Sequence, residues 1–259
     1  MFNKNLFRNA FATLLVILFL QANFSCNQSN KPIEIPKEGG SVISYDLSKR
    51  LIDNFQQKYR SSRLPFVSNL NMAAINQLLK DSAAANIRIY YGEEPRSKTV
   101  NLVAVAANNQ GVDMVGRTCI LITRRGAQSI PVATAALYTH QFQKDYQNAA
   151  DIPYAEKFNR KLFTDVLFRK PGVTGLQVYL GNDADEVLDK KSRKVKMIIF
   201  AVNAQQRIIF ESPRTGQSTS VKPAYLMASY SENEDAGVEN GQQCLSMCNI
   251  NSSPLYTAQ

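Results

Sequence analysis

The chain of 259 residues has no tryptophan and one histidine, His140. Without tryptophan, a sugar-stacking site would have to rest on tyrosine. With one histidine, most hydrolases are disfavoured, because a serine or cysteine nucleophile needs a base and an orienting group beside it. A zinc site made from cysteines would need a fourth ligand, and His140 lies within a helical pattern. No glycine-rich phosphate loop is present. The acidic stretch "GNDADEVLD" at 181–189 lacks the glycine and the bidentate glutamate of a calcium loop. Neither cofactor nor metal is expected.

What is present begins with an address. Lys4 and Arg8 precede an apolar run from Ala10 to Leu20, and Ser25 stands immediately before Cys26. This is the pattern of a secretory signal, and the run is about half the ~20 residues that span a bilayer. Ser25–Cys26 resembles the end of the bacterial lipobox, in which the cysteine is acylated. Asn23 and Phe24 depart from its usual leucine-small pair, and cleavage nearby would leave Cys26 a thiol. The expectation is a signal over 1–25, lipid on Cys26, and a polar tether over 26–40 with Pro32, Pro36, Gly39 and Gly40. The protein is then exported and anchored at the outer membrane. The absence of an acidic cluster after Cys26 favours the periplasmic side.

Removal of the signal leaves 28 basic and 21 acidic residues, concentrated unevenly: residues 26–128 hold 14 basic and 8 acidic. In an exported protein this basic half is expected to be an ordinary solvated surface, with an acidic envelope protein or an anionic glycolipid as the candidate partners, and nucleic acid is not an expected partner. The apolar fraction of 44% is enough for a large core.

The chain also writes one pattern twice. Phe55, Lys58 and Tyr59 match Phe142, Lys144 and Tyr146, with one slip at the lysine. "ANIRIYYG" matches "TGLQVYLG", pairing Gly92 with Gly181, and "VNLVAVAANN" matches "VKMIIFAVNA", pairing Val100 with Val195. Three blocks in one order predict a repeated unit of about ninety residues, one copy over 41–128 and one over 129–235, with a polar tail over 236–259.

Periodicity assigns each unit two helices and then strands. Helices are expected over 46–60, with Asp46 as cap and Leu47, Leu51, Phe55 and Tyr59 on one stripe, and over 134–147, with Leu137, Gln141 or Phe142, and Tyr146 on one stripe. Second helices are expected over 71–81 and through Phe158, Leu162, Phe163, Val166 and Leu167, the latter stopped by Pro171 and Gly172. Strands follow at 87–91 and 176–180, at 100–107 and 195–202, and at 119–123 and 224–230. The fold class is α+β: tandem helix-helix-strand-strand units, each with an antiparallel meander covered by helices.

The same alternation puts Arg88 and Tyr90, and in the other copy Gln177 and Tyr179, on one sheet face as a candidate binding strip, unless helices or loops cover it. Cys244 and Cys248 are candidates for a short-loop disulfide, with Cys119 the rival partner of either. Carboxylates at loop tips, Glu93, Glu94, Asp183 and Glu186, are the acid and base candidates if the protein is an envelope hydrolase.

In the order of its blocks the chain resembles a set of small exported proteins of Bacteroidetes. The matching segments are Gln57 to Arg60, "IRIYYG" at 87–92, "NLVAVAANNQG" at 101–111, "KPGVTG" at 170–175 and "CLSMC" at 244–248. The first copy lacks the Pro-Gly turn, Val173 replaces a cysteine, and the tail lacks prolines. That family has no established activity, so the resemblance implies a fold and a source and no chemistry. "DSA" at 81–83 resembles the O-glycosylation acceptor of such exported proteins, with Ser82 as acceptor. The function expected is a non-catalytic interaction or structural module of the envelope, with a hydrolase or a glycan-binding lipoprotein as the alternatives.

Overall fold

The computed structural model describes residues 40–116, 118–185, 193–211, 218–221, 235–239, 242–243 and 253–256. The elements, in chain order, are β1 (Ser41–Ser44), α1 (Tyr45–Lys58), β2 (Val67–Asn71), α2 (Met72–Leu78), β3 (Asn86–Glu93), β4 (Val100–Ala107), β5 (Thr118–Thr123), β6 (Gly126–Pro131), α3 (Val132–Asp145) and β7 (Ala155–Asn159). A π-helical segment (Leu162–Leu167) follows, and then β8 (Gly175–Asn182), β9 (Val195–Val202), β10 (Ile208–Glu211), β11 (Ser218–Val221), β12 (Asp235–Glu239) and β13 (Gln242–Gln243).

The class is α+β with two antiparallel sheets, and it has less helix than the sequence suggests. Each anticipated second helix is short, Met72–Leu78 and the π segment Leu162–Leu167. In front of each stands a five-residue strand that periodicity did not reveal. Phe158, expected on a helix, lies in β7 opposite Ile87 of β3. The reason is non-local. β3 and β8 each have a neighbour from the adjoining hairpin, β4 and β9, and would otherwise leave a long apolar edge open. The segments before the short helices close those edges: β7 pairs with β3, and β2 pairs with β8.

The pairing is therefore crossed. β2, from the first half of the chain, extends the sheet of β8 and β9, whose far side carries β10–β11 and β12–β1. β7, from the second half, extends the other sheet, ordered β13-β7-β3-β4-β5-β6. The helices cross too, since α1 packs on β8 and α3 on β3. The expected strand at 224–230 lies outside the described residues. The stretch expected as a polar tail supplies pairing instead, through β12 and β13.

Three clusters of apolar side chains hold these layers. Ile87, Ile89 and Tyr91 of β3 and Leu176, Val178 and Leu180 of β8 feed one core common to both sheets. On the opposite face of β3 and β4, Tyr90, Val103 and Val105 meet Ala135 and Tyr138 of α3. On the opposite face of β9, Ile198, Phe200 and Val202 meet Leu51 and Ile52 of α1.

Local chemistry fits these placements. The cap of α1 is Ser44, not Asp46: the Leu47 amide donates to Ser44 Oγ at 3.4 Å, and Asp46 sits in the first turn, where the helix dipole favours an acid. Asn71 caps α2 by accepting from the Ala74 amide at 2.8 Å. Along α3 the buried positions are Ala135, Thr139, Phe142 and Gln143. Leu137 points to solvent at 55% exposure, so the stripe expected through Leu137 is rotated, because Tyr138 takes the place over the sheet.

Gly92 and Gly181 let the helices approach. A Cβ on Gly181 would lie 2.8 Å from Ile198 Cδ1 and 3.0 Å from Leu51 Cβ of α1, and one on Gly92 3.2 Å from both Tyr138 Cβ of α3 and Val103 Cγ2. Overpacking of this kind costs about 1–3 kcal/mol. Gly181→Ala is therefore expected to lower unfolding stability by about that much, and more than Gly92→Ala does. Urea denaturation measures both, and a neutral Gly181→Ala would contradict the close helix–sheet contact.

Candidate functional site

A polar concavity lies at the tip of the β5–β6 hairpin. Thr123 faces Gly126 across the ladder, so the loop is the pair Arg124–Arg125. Thr123 Oγ1 accepts from the Arg125 amide at 3.1 Å and donates to the Gly126 carbonyl at 3.0 Å, and Gly126 takes φ 140°, a value that suits only glycine. From the other sheet, β2 braces the tip: Asn69 Nδ2 donates to the Arg124 carbonyl at 2.5 Å and Asn71 Nδ2 to the Ala127 carbonyl at 3.2 Å. With the backbone fixed on both sides, the two guanidinium groups project from a held base.

The groove encloses about 630 Å³ and is lined by Asn71, Thr99, Asn101, Thr123, Arg124, Arg125, Gly126, Ala127 and Gln128. Among the described residues, two cations, three amides and two hydroxyls line it, and no acid does. Such a surface attracts anions and offers the planar, multidentate donors that carboxylate and phosphate oxygens accept. Its charge is not neutralised from within.

The expected strip is placed differently. Arg88 and Tyr90 are fully buried. Arg88 pairs with Asp113 and donates from Nη2 to the Gly111 carbonyl at 2.7 Å, while the Tyr90 hydroxyl donates to Asp113 Oδ2 at 2.5 Å. Ser253 Oγ donates to the same carboxylate oxygen at 2.5 Å. Burial, with the Asp113 charge beside it, pushes the Tyr90 hydroxyl well up. On the other sheet the Tyr179 hydroxyl donates to Gln177 Oε1 at 3.0 Å and its ring meets Phe200 edge-on, half-buried. Each pair is engaged in its own sheet, and with Ser253 in place Arg88 and Tyr90 present no surface to solvent.

Of the carboxylate candidates, Glu93 and Asp183 stand on different sheets, at the ends of β3 and β8. Glu94 accepts from Ser97 Oγ at 2.6 Å within the hairpin that follows β3, and Glu186 lies outside the described residues. Glu93, buried, is approached by Arg63 at 3.2 Å and Lys98 at 3.1 Å, and Lys98 also reaches Asp145 of α3 at 2.8 Å. Burial pushes the Glu93 carboxyl up against the pull of Lys98, while the Lys98 hydrogen bond holds Asp145 down at about 2. Two carboxyls pushed apart in this way are an acid–base signature, but here both are held by cations that clamp a hairpin to a helix.

Cys119 carries a free thiol, buried on β5 and pushed up to about 12 by burial, which leaves it unreactive. Cys26, Cys244 and Cys248 lie outside the described residues. Ser82 is exposed in the turn after α2, where Asp81 Oδ1 accepts from the Ala83 amide at 2.9 Å, and is accessible to modification. His140 is half-buried on α3. No described helix is long and apolar enough to cross a membrane. Periodicity gives Arg124 and Arg125 no role, although the sequence carries a signal for them: "TRRG" between two apolar strands, where turn chemistry alone would favour Asn-Gly or Asp-Gly. Comparison with family models, curated proteins and solved structures finds no match.

Two outcomes test this account of the charged groups. Asp113→Ala strands the Arg88 charge in the interior and is expected to cost about 3–5 kcal/mol in chemical denaturation; a loss below about 1 kcal/mol would contradict the burial. For Glu93 the raised carboxyl gives a stability contribution that is complete below its unfolded value and lost as pH rises through the folded one. The Asp145 contribution has the opposite sign and is lost only as pH falls toward about 2. From about pH 4 to 7, therefore, the melting temperature of the wild type is expected to fall relative to that of Glu93→Gln. Parallel curves would show that Glu93 carries no burial cost.

Proposed function

We propose that the protein is a non-catalytic module of the cell envelope, anchored by acyl chains on Cys26, which binds the anionic saccharide headgroup of an envelope glycolipid in the groove under the Arg124–Arg125 hairpin. The observation that carries this is the lining itself: two arginines with amides and hydroxyls around them, and no acidic neighbour among the described residues. An acidic protein partner is the less suitable ligand, since stable protein interfaces centre on aromatic or large apolar anchors and the only apolar side chain in this lining is that of Ala127. Sugar hydroxyls and a phosphate or carboxylate match the donors present. Export is supported by the signal pattern before Cys26, and an anchored chain would hold the groove within reach of headgroups.

The catalytic alternative has less support, because the buried carboxylate Glu93 is held by Arg63 and Lys98 and Asp183 follows a strand of the other sheet. The module also reads as two copies of one unit. Helices Tyr45–Lys58 and Val132–Asp145 have equal lengths, as do strands Asn86–Glu93 and Gly175–Asn182, and Gly92 and Gly181 each lie under a helix. An experimental structure in which these segments fail to superpose in pairs would end the repeat proposal.

The binding experiment uses the Cys26→Ser chain, so that acyl anchoring does not mask the groove, with vesicles containing lipid A against vesicles of equal charge made with phosphatidylglycerol. Preferential binding to lipid A is expected, weakened about thirtyfold by Arg124→Ala with Arg125→Ala, from about 1 kcal/mol for each basic residue at a charged surface. A loss under about threefold, or equal binding to both vesicles, would refute the saccharide site. In cells, Cys26→Ser is expected to move the protein from the membrane to the soluble fraction. An unmodified residue other than Cys26 at the mature N-terminus would refute anchoring.

A further inference from the structure

The outer face of β3 and β4, beside α3, is already occupied, and its occupant is the chain's own segment Ser253–Tyr256. Leu255 is wholly buried in the cluster that contains Tyr90, Val103, Val105 and Ala135. Its carbonyl accepts from Nε2 of Gln143, a nearly fully buried side chain of α3, at 3.1 Å, and its amide donates to Ser253 Oγ at 3.2 Å. Ser253 Oγ in turn donates to Asp113 Oδ2 and lies 3.4 Å from the Tyr90 hydroxyl. The Tyr256 amide closes a turn on the Ser253 carbonyl at 3.1 Å, and its ring lies 6.3 Å from that of Tyr154. Pro254 points outward.

Among the described residues few side chains fix this segment, and they read it in order. A hydroxyl is read by a buried carboxylate, a leucine two residues later fills an apolar socket, its carbonyl is read by a buried amide, and an aromatic ring follows at the rim. Of the groups that read it, those on β3, β4 and α3 belong to elements with partners of their own, since β3 and β4 have their strand neighbours and α3 its seat on Gly92, while Asp113 is held by Arg88. Among the described residues the opposite sheet has no counterpart: at Gln177 and Tyr179 the polar atoms turn to each other and to Gln206.

We infer that this face is a peptide-binding groove for a Ser-x-Leu-Tyr segment, filled in cis by the chain's own C-terminal segment. The partner it fits is a peptide of that pattern, which must displace the resident segment. A tethered ligand acts at an effective concentration in the millimolar range, so the intact chain resists a free peptide, and release of the segment opens the groove.

The test uses the full chain carrying Leu255→Asp, which keeps the length but ejects the segment, and a synthetic peptide of sequence SSPLYTAQ, residues 252–259. Titration calorimetry is expected to show one peptide bound per Leu255→Asp chain, none on the wild type at equal concentration, and about tenfold weaker binding when Gln143→Ala is added, because the leucine carbonyl is then left unpaired. A folded Leu255→Asp chain that ignores the peptide overturns the groove, as does a wild type that binds it equally. Hydrogen exchange on the wild type decides the matter if Leu255→Asp does not fold. The Leu255 amide is expected to exchange at least about a hundredfold faster than amides of β3 and β4, as a detachable segment requires. Exchange at the rate of those strands would make the segment an inseparable part of the fold and overturn the proposal.

Discussion

The structure depends on how β3 and β8 acquire their second neighbours. Each is eight residues long, and each would be an apolar edge if its own half of the chain were all that surrounded it. Each is completed by a strand from the other half, β7 on β3 and β2 on β8. The helices obey the same exchange, so Leu51 of α1 lies against Gly181 and Tyr138 of α3 against Gly92. Neither half can withdraw without stripping a strand and a helix from the other, and this binds the two halves into one cooperative body.

That crossing marks the limit of what the sequence discloses. Helices with a full stripe, such as Leu47-Leu51-Phe55-Tyr59, and strands buried on both faces, such as Val195–Val202, impose their periods over enough residues to be recognised, and both were anticipated. β2 and β7 have five residues each and carry Asn69, Asn71, Glu156 and Lys157 among their apolar positions. Their strand character comes from the partner edges. The same holds for the face carrying Arg88 and Tyr90: alternation correctly sets these residues apart from Ile87 and Ile89, but what covers them is the 111–113 loop and a segment more than 160 residues further along the chain. Distance in sequence hides the cover.

Arg124 and Arg125 were hidden differently. Adjacent charges in a turn ordinarily solvate independently and carry little meaning. Here, β2 of the opposite sheet, hydrogen-bonded to the carbonyls of Arg124 and Ala127, makes the hairpin tip a fixed wall, and Thr99 and Asn101 at the start of β4 supply further polar lining. The groove is thus a by-product of the strand exchange, because the strand that closes the edge of β8 is also the one that steadies the hairpin.

The two outer faces then differ for a reason that lies in one residue. On β8 the polar position is Gln177, which is neutral and can be satisfied by Tyr179 and Gln206. On β3 it is Arg88, whose charge cannot remain in the interior without an anion. That requirement draws in Asp113, and with it the 108–113 loop, tightened by Asn108 Oδ1 accepting from the Val112 amide at 2.9 Å and by Gly111 at φ 75°. Asp113 retains acceptor capacity after meeting Arg88 and Tyr90, and Ser253 uses it. A buried ion pair adds little net stability, since desolvation offsets most of its attraction. What it supplies here is direction: one charge on β3 fixes a loop, the loop presents a carboxylate, and the carboxylate selects a hydroxyl in the chain segment that covers the face.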